Sequence, residues 1–502
     1  MSTSSEPVLF HDLFQPRATT RTTSAVFASA AALLLLVALE NHAASVLILC
    51  TVIAAVLVIY GVTYTAHHHE WLVFPLALIG LSVQTPFFGD QTLRAGFHYV
   101  ALALFCLPTL PFVLRSGILR TGGFRIYTLY FAWGAVTIAY SLAPVYSLAR
   151  LVEAVMVMIA IAACVLEIHE PADVTRLLLR FLLACTIILI MVAATAPILP
   201  HDVAWQSPLE SYTPNELASM AKAGIIVGGL DRFRGLFDGP NDLGTFMVLV
   251  VGLAAACWRT AQRRGRLMLA LVIAAAVALD VLADSRSSFV AVALGAGLFA
   301  IWRWRFRGFL LCAGISLAIA LVMLRSGMFA YVGRDVTTLT GRTDIWDYVI
   351  QRIRDQPILG YGYETAGAVF DSRYFPIWWG PWDMGPHSSL HNGYLGHAIG
   401  VGIPATALWL YIVLRPWVFA LRQREDPWSL KPIFFLIVVP ILINNLSEQL
   451  LGDFGGGAVA LLFGLVWAIA ERYRVRTLRQ READRKADLA ALPKAVSALL
   501  SA

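Results

Sequence analysis

Long apolar runs, separated by short polar breaks, recur along this chain. About fourteen of them are long enough, or nearly so, to cross a hydrocarbon core of ~30 Å as a helix. They fall at 25–40, 44–64, 71–87, 96–114, 124–141, 146–167 and 173–198, then at 241–258, 267–283, 287–302, 309–325, 392–414, 432–450 and 456–471. The pattern predicts an all-α fold. It is a polytopic transmembrane helical bundle of about fourteen spans, with residues 1–502 forming one transmembrane domain.

The polar breaks orient the bundle. Arg115, Arg120 and Arg125 separate the fourth and fifth runs, and Arg259, Arg263, Arg264 and Arg266 follow the eighth. Arg303, Arg305 and Arg307 follow the tenth; Arg415, Arg422, Arg424 and Lys431 follow the twelfth. Arg472, Arg474, Arg476, Arg479 and Arg481 follow the last. An even count of spans puts all of these on one side, and the positive-inside rule makes that side cytoplasmic. Both termini are then expected in the cytoplasm, with 472–502 as a cytoplasmic tail.

Two long stretches fall on the opposite side, 199–240 and 326–391. The second is far longer than an ordinary connection, which points to function. Within it Ile345, Trp346, Val349, Ile350 and Ile353 recur at helical spacing. Thr343 is the expected N-cap, Pro357 the stop, and Gly360 with Gly362 a turn. Such a helix either lies on the membrane surface or packs on the bundle, and packing is the commoner outcome.

Composition supports the membrane reading over several soluble domains, since 58% of residues are hydrophobic and only 14% charged. The net charge of +6 does not indicate nucleic acid, because the arginines sit in short loops where they act as topology determinants. Cys50, Cys106, Cys164, Cys185, Cys257 and Cys312 lie in apolar runs without metal-type spacing and read as small buried hydrophobes. Arg17 and Arg21 precede the apolar stretch Ala25 to Leu39, as in a signal peptide. Because further spans follow at once, an uncleaved first helix is expected.

The unusual polar residues are those on the outward side. Arg232 and Arg234 precede the eighth span, Arg286 opens the tenth, His391 opens the twelfth, and Arg150 lies near the start of the sixth. A helix N-terminus carries about +0.5 of a charge and disfavours a neighbouring cation. Outward arginines also run against the positive-inside bias. Each could pair with a local acid such as Asp231, Asp238 or Asp284. As a group they point to an anion, because helix N-termini with arginine forks suit a phosphate or diphosphate. His391 could be an interfacial histidine with satisfied hydrogen bonds, but a neutral imidazole amid cations also suits general-base work; His387 is a lesser candidate. The run His67-His68-His69-Glu70 reads as a solvated loop rather than a metal site. Glu153, Asp280 and Glu448, in or near apolar spans, are either functional or paired with arginine. No nucleotide-binding or zinc-protease motif is present.

At these residues the chain resembles the O-antigen ligase and Wzy-type polymerase superfamily of bacterial polysaccharide assembly. The likeness runs from Arg232 to Gly402. Arg232 to Leu236 and Arg234-Gly-Leu-Phe-Asp-Gly-Pro-Asn241 are similar to one signature, and Ser285-Arg286-Ser287 to a second. Gly341-Arg342-Thr343-Asp344-Ile345-Trp346 and Pro357-Ile-Leu-Gly-Tyr-Gly362 resemble the start of the large periplasmic loop. His391-Asn-Gly-Tyr-Leu, with Gly402 eleven positions on, resembles the ligase His and Gly spacing.

The resemblance implies a metal-independent, inverting glycosyltransferase of GT-C-like architecture in the bacterial inner membrane, with no cofactor. Its donor would be an undecaprenyl diphosphate-linked glycan. Arg232, Arg234, Arg286 and Arg342, and more weakly Arg150, carry over as diphosphate ligands. His391 carries over as the group that orients or deprotonates the acceptor hydroxyl. About twelve spans are usual in the ligases, so twelve is the alternative count here. The aromatic segment from Tyr361 to Trp382 is more like the exopolysaccharide polymerases. Trp378, Trp379 and Trp382 could stack on sugars or anchor at the interface, and Tyr394 is a further candidate glycan contact.

A polymerase of exopolysaccharide or O-antigen is therefore expected. It would work among membrane lipids, with chain-length-regulator and export proteins as prospective partners. A ligase transferring glycan to lipid A–core shares the same motifs. A lipid-linked sugar transporter or flippase is the rival of another class, but no internal repeat is evident and the unusual residues cluster at one face.

Overall fold

A computed structural model describes residues 72, 75–76, 91–195, 201–206, 231–237, 239–258, 260–308, 310, 314, 342–371, 390–426, 428–448, 451 and 457–500. The expected spans 25–40 and 44–64, and most of 71–87 and 309–325, lie outside these residues. So do Trp378, Trp379, Trp382, His387 and the run 67–70.

The first elements are α1 (Gln91–Cys106), α2 (Leu110–Ser116), α3 (Gly122–Ile138), α4 (Pro144–Leu166) and α5 (Pro171–Thr195). A short helix α6 (His201–Ala204) leads to β1 (Trp205–Gln206), which pairs antiparallel with β2 (Arg232–Phe233). Then come α7 (Pro240–Cys257), α8 (Arg263–Ala283), α9 (Arg286–Trp304), α10 (Arg342–Asp355) and α11 (Ala366–Asp371). The last are α12 (Gly393–Arg422), α13 (Leu430–Ile433), a π-turn at Phe434–Val438, α14 (Val439–Asn444) and α15 (Ala458–Leu500). Among the described residues, seven helices are long and apolar enough to cross a membrane. The all-α expectation needs one amendment, the small β1–β2 pair.

Three further expectations are refined. The run 96–114 forms α1 and α2 joined by a 3-10 turn at Leu107–Thr109, because Pro108 and Pro111 interrupt the α-helical hydrogen-bond ladder. Helix α10 begins at Arg342, so Thr343 lies inside the first turn rather than at the cap. The segment from Arg472 continues α15, a helix of 43 residues, without a break.

The spans differ in burial. Within their apolar windows α7 is 72% buried and α4 67%, against 22% for α9. Helices α4, α5 and α7 therefore form the inside of the bundle, while α8 and α9 leave apolar faces outward. Cys106, Cys164, Cys185 and Cys257 are buried free thiols.

The amphipathic helix α10 packs on the bundle. Val349 and Ile353 are buried with Ala366, Val369, Leu390 and Ile399 in a second apolar cluster. The segment after it docks into a break in α12. Gly402 is non-helical at φ 83°, and a Cβ there would run into the carbonyl oxygen of Ile358. The break exposes backbone groups that 357–362 satisfies: Ile403 N–H donates to Pro357 O at 2.8 Å, Tyr361 N–H to Ile399 O and Gly362 N–H to Gly400 O, both at 2.9 Å. Non-helical backbone persists inside a bundle only when its polar groups find partners in this way. The stretch Pro357 to Gly362 and the glycine eleven residues after His391 are thus two halves of one joint.

Chain direction gives the bundle two ends. Helices α7, α9 and α12 start at one end, where α8 and α14 finish. Helix α4 finishes at the other. There Arg472 donates to Leu166 O at 2.9 Å and Ile168 O at 2.8 Å, and Arg476 donates to His169 O, so two cations sit on the carbonyls at the end of α4 and in the turn after it.

Candidate active site

The starts of four helices meet where α8 and α14 end. Pro240 and Asn241 open α7, Arg286 opens α9, Arg342 opens α10, and His391 with Asn392 precedes α12. Local chemistry sets each start. Asn392 Oδ1 caps α12, accepting from Tyr394 N–H and Leu395 N–H at 3.1 Å each. Pro240 stands at the first position of α7, where a missing N–H costs nothing. Gly244 has no room for a Cβ against Ser285 and Ser288, so α7 and the start of α9 touch closely.

Glu448 is the hub of this region. Its Oε1 accepts from Arg342 Nη2 at 2.9 Å and from Asn241 Nδ2 at 3.0 Å. Its Oε2 lies 3.1 Å from His391 Nδ1. Arg342 Nη1 also donates to Ser447 O at 2.6 Å. Arg232 continues the network: Nη2 donates to Asn241 Oδ1 at 2.7 Å and to Asp284 O at 3.2 Å, and Nε donates to Ala283 O at 2.9 Å. One connected set of hydrogen bonds thus joins Arg232, Asn241, Glu448, Arg342 and His391, which lie as much as 216 positions apart in the sequence.

Supports lie behind these groups. Trp346 Nε1–H donates to Leu390 O at 3.1 Å and fixes the residue before His391. Asn444 Nδ2 donates to Thr245 Oγ1 at 2.9 Å, which ties the end of α14 to α7 and so places Glu448 beside Asn241. His391 itself is held at φ 50°, in the left-handed region. That conformation costs a non-glycine residue roughly 1–3 kcal/mol and persists only where its surroundings impose it.

The electrostatics favour an anion. Each helix start contributes about +0.5 of a charge, and Arg232, Arg286 and Arg342 add full charges. Glu448 opposes part of this, with its side chain only 11% exposed, and Asp284 lies 3.6 Å from Arg286 Nε. A carboxylate at Glu448 would only accept, and the contact with His391 Nδ1 would then place the imidazole hydrogen on that atom.

Arg234 is placed beside Arg232 by the β1–β2 pair, with its backbone N–H bonded to Ala204 O at 2.9 Å and Phe233 buried between them. Arg150 lies within α4 and pairs with Glu153 at 2.5 Å, which also takes His98 Nε2 at 2.7 Å. Tyr394 turns its hydroxyl inward to Leu442 O at 2.8 Å. Asp280 is buried in α8, and its Oδ1 accepts no hydrogen bond among the described residues. Asn241 and Glu448 did not emerge from the sequence as parts of one site with Arg232 and His391. Asn241 was visible within a motif and Glu448 as an acid near a span end, but nothing local links them. No group of three metal-binding side chains occurs among the described residues.

No curated protein matches the chain. Residues 276–410 match the family model described as O-antigen ligase. That stretch includes Arg286, Arg342 and His391, while the fold brings Arg232, Asn241 and Glu448 to it from outside. Through this segment the chain is similar to the O-antigen ligase family.

Proposed function

We propose that the network around Glu448 is the transfer site of a polymerase that joins undecaprenyl diphosphate-linked oligosaccharide repeat units at the periplasmic face of the inner membrane. The observation that carries this reading is His391, tied through Nδ1 to Glu448 beside Arg342 and held in an unfavourable backbone conformation.

In this mechanism the acceptor hydroxyl oxygen attacks the anomeric carbon of the donor and gives its proton to His391 Nε2. The bond between the anomeric carbon and the diphosphate oxygen breaks, and the electron pair leaves with the lipid diphosphate. Attack from the face opposite the leaving group inverts the anomeric centre. Charge growing on the diphosphate meets Arg232, Arg286 and Arg342 and the helix starts, which act where charge develops in the transition state. These cations fill the role a metal ion plays in many glycosyl transfers. Arg234, just past β2, would add to the same charge, and Arg150, already opposed by Glu153, contributes least. Trp378, Trp379 and Trp382 would contact the glycan, whereas Tyr394, expected from the sequence as a further contact, is committed inward to Leu442 O.

A second reading is favoured by the description of the matched family: a ligase that transfers the glycan to lipid A–core. The two readings share every chemical step and differ in the acceptor. Purified protein supplied with lipid-linked repeat units decides between them. A ladder of products from wild type, absent with His391→Ala, is the polymerase result. Transfer only to added lipid A–core is the ligase result. If the native donor yields neither product, transfer is the wrong chemistry and lipid flipping is measured next.

A further inference from the structure

At the end of the bundle away from Glu448, a cavity of ≈ 460 Å³ lies between the last turns of α12 and the basic part of α15. Four arginines line it, Arg415, Arg422, Arg474 and Arg481, together with Phe419 and Gln423. Glu471 answers two of them. It takes a bidentate pair from Arg474 at 2.7 and 2.8 Å and a single bond from Arg415 at 3.2 Å. Arg422 makes no hydrogen bond or ion pair among the described residues. Arg481 donates to the neutral Gln423 Oε1 at 2.5 Å and rests 5.8 Å from the centre of the Phe419 ring. The cavity therefore gathers more cationic charge than its one carboxylate offsets.

A neighbouring cavity makes the contrast. It has ≈ 330 Å³ and is lined by Arg472, Arg476 and Arg479 among others, but Arg472 and Arg476 are engaged on carbonyls at the end of α4 and in the turn after it. Positive charge that only sets topology needs no cavity and no convergence, since it acts by proximity to the membrane surface. In the first cavity Arg422 and Arg481 line the space without a carboxylate partner among the described residues, and Phe419 and Val418 provide an apolar wall. Forked donors around a space of this kind match a phosphate oxyanion.

We propose that this cleft is a second anion site that binds a phosphate group, distinct from the network at the Glu448 end. The phosphate comes either from the headgroup of an anionic phospholipid in the surrounding leaflet or from a soluble phosphate compound. The site does not depend on the glycosyl-transfer reading.

The test uses the full chain in nanodiscs of phosphatidylcholine, with and without phosphatidylglycerol, and native mass spectrometry to count retained lipid. Arg422→Gln and Arg481→Gln leave the Glu471 pairs intact. Arg424→Gln is the charge-matched control, exposed and outside the cleft. The expected result is retained phosphatidylglycerol that weakens about fivefold with each cleft substitution and is unchanged by Arg424→Gln. If inorganic phosphate raises the melting temperature of wild type in phosphatidylcholine discs, but not of the cleft variants, the soluble source is the right one. Equal losses in all three variants, or no response of wild type to either probe, overturn the proposal.

Discussion

Each end of the bundle is organised around a glutamate that gathers cationic side chains, and the two glutamates do opposite things. Glu471 has a side chain only 1% exposed and is enclosed by Arg415, Arg474 and the Gly123 N–H, which donates at 2.5 Å. It locks the start of α3 to α12 and α15. Glu448 sits at the convergence of four helix starts and holds a histidine whose side chain is 35% exposed. Every partner of Glu471 is a structural tie. Two partners of Glu448, His391 and Arg342, are side chains that can act on something else. A buried carboxylate among arginines is therefore not by itself a functional mark; what matters is whether the groups it orients reach a space.

This difference is broken most strongly at Glu471. Glu471→Ala leaves Arg415 and Arg474 without their shared partner, a kind of loss that costs about 3–5 kcal/mol. Thermal unfolding in detergent is expected to shift down sharply, while the turnover of molecules that remain folded is unchanged. A loss of turnover at constant stability would instead bring Glu471 into the chemistry. Glu448→Gln is the mirror experiment. It keeps a side chain of the same shape but loses the carboxylate that sets the hydrogen on Nδ1, so turnover is expected to fall on the order of 10²-fold with little change in melting temperature.

His391→Ala sharpens the comparison from the other side. General-base catalysis contributes roughly 10²- to 10⁴-fold, so the product ladder should vanish. Because the histidine is partly exposed and its backbone conformation is unfavourable, truncation is expected to cost little stability. His391→Gly, which relieves the backbone, should melt at or above wild type and remain inactive. A variant that is inactive only because it unfolds would remove the catalytic assignment.

Arg342→Lys comes next. A lysine reaches Ser447 O or Glu448 Oε1, but it cannot present the fork that serves both. Hydrogen bonds to charged groups contribute about 1.5–3 kcal/mol, so turnover should drop about tenfold or more with retained folding. At the opposite end, Arg474→Lys loses the same fork on Glu471, and there the effect should appear in melting temperature instead.

Much of the frame was legible in the sequence because its causes are local. Apolar runs marked the described helices, Pro357 and Gly360 marked the end of α10, and the arginines at helix starts stood out by violating two charge preferences at once. Topology alone put Arg232 and His391 on one side of the bundle, and Arg342 joined them only through the family likeness. The hub itself was not legible. Glu448 meets His391 across 57 positions and Asn241 across 207, and only the packing of α7 against α14 brings them together. The Glu471 lock was hidden for the same reason, since its Gly123 partner is 348 positions away. The unbroken course of α15 past Arg472 escaped the pattern because its apolar face ends with the bundle while its backbone does not.

The smallest expected effect is also the one that best separates an arginine held for structure from one held for a ligand. Arg286 opens α9 with its side chain 57% exposed, 3.6 Å from an equally open Asp284. Exposed pairs of this kind contribute about 0–1 kcal/mol, and the positive end of the helix beside the guanidinium offsets part of that. Arg286→Ala should therefore leave the melting temperature within a degree or two of wild type. If Arg286 is only paired with Asp284, Asp284→Ala should be equally silent in every assay. If Arg286 is poised for the donor diphosphate, KM for the lipid-linked donor rises in Arg286→Ala and falls in Asp284→Ala, because removing the acid releases the guanidinium to the ligand. Opposite signs from two substitutions that are each silent in stability cannot come from a structural pair, and equal signs would return Arg286 to the class of tied arginines seen around Glu471.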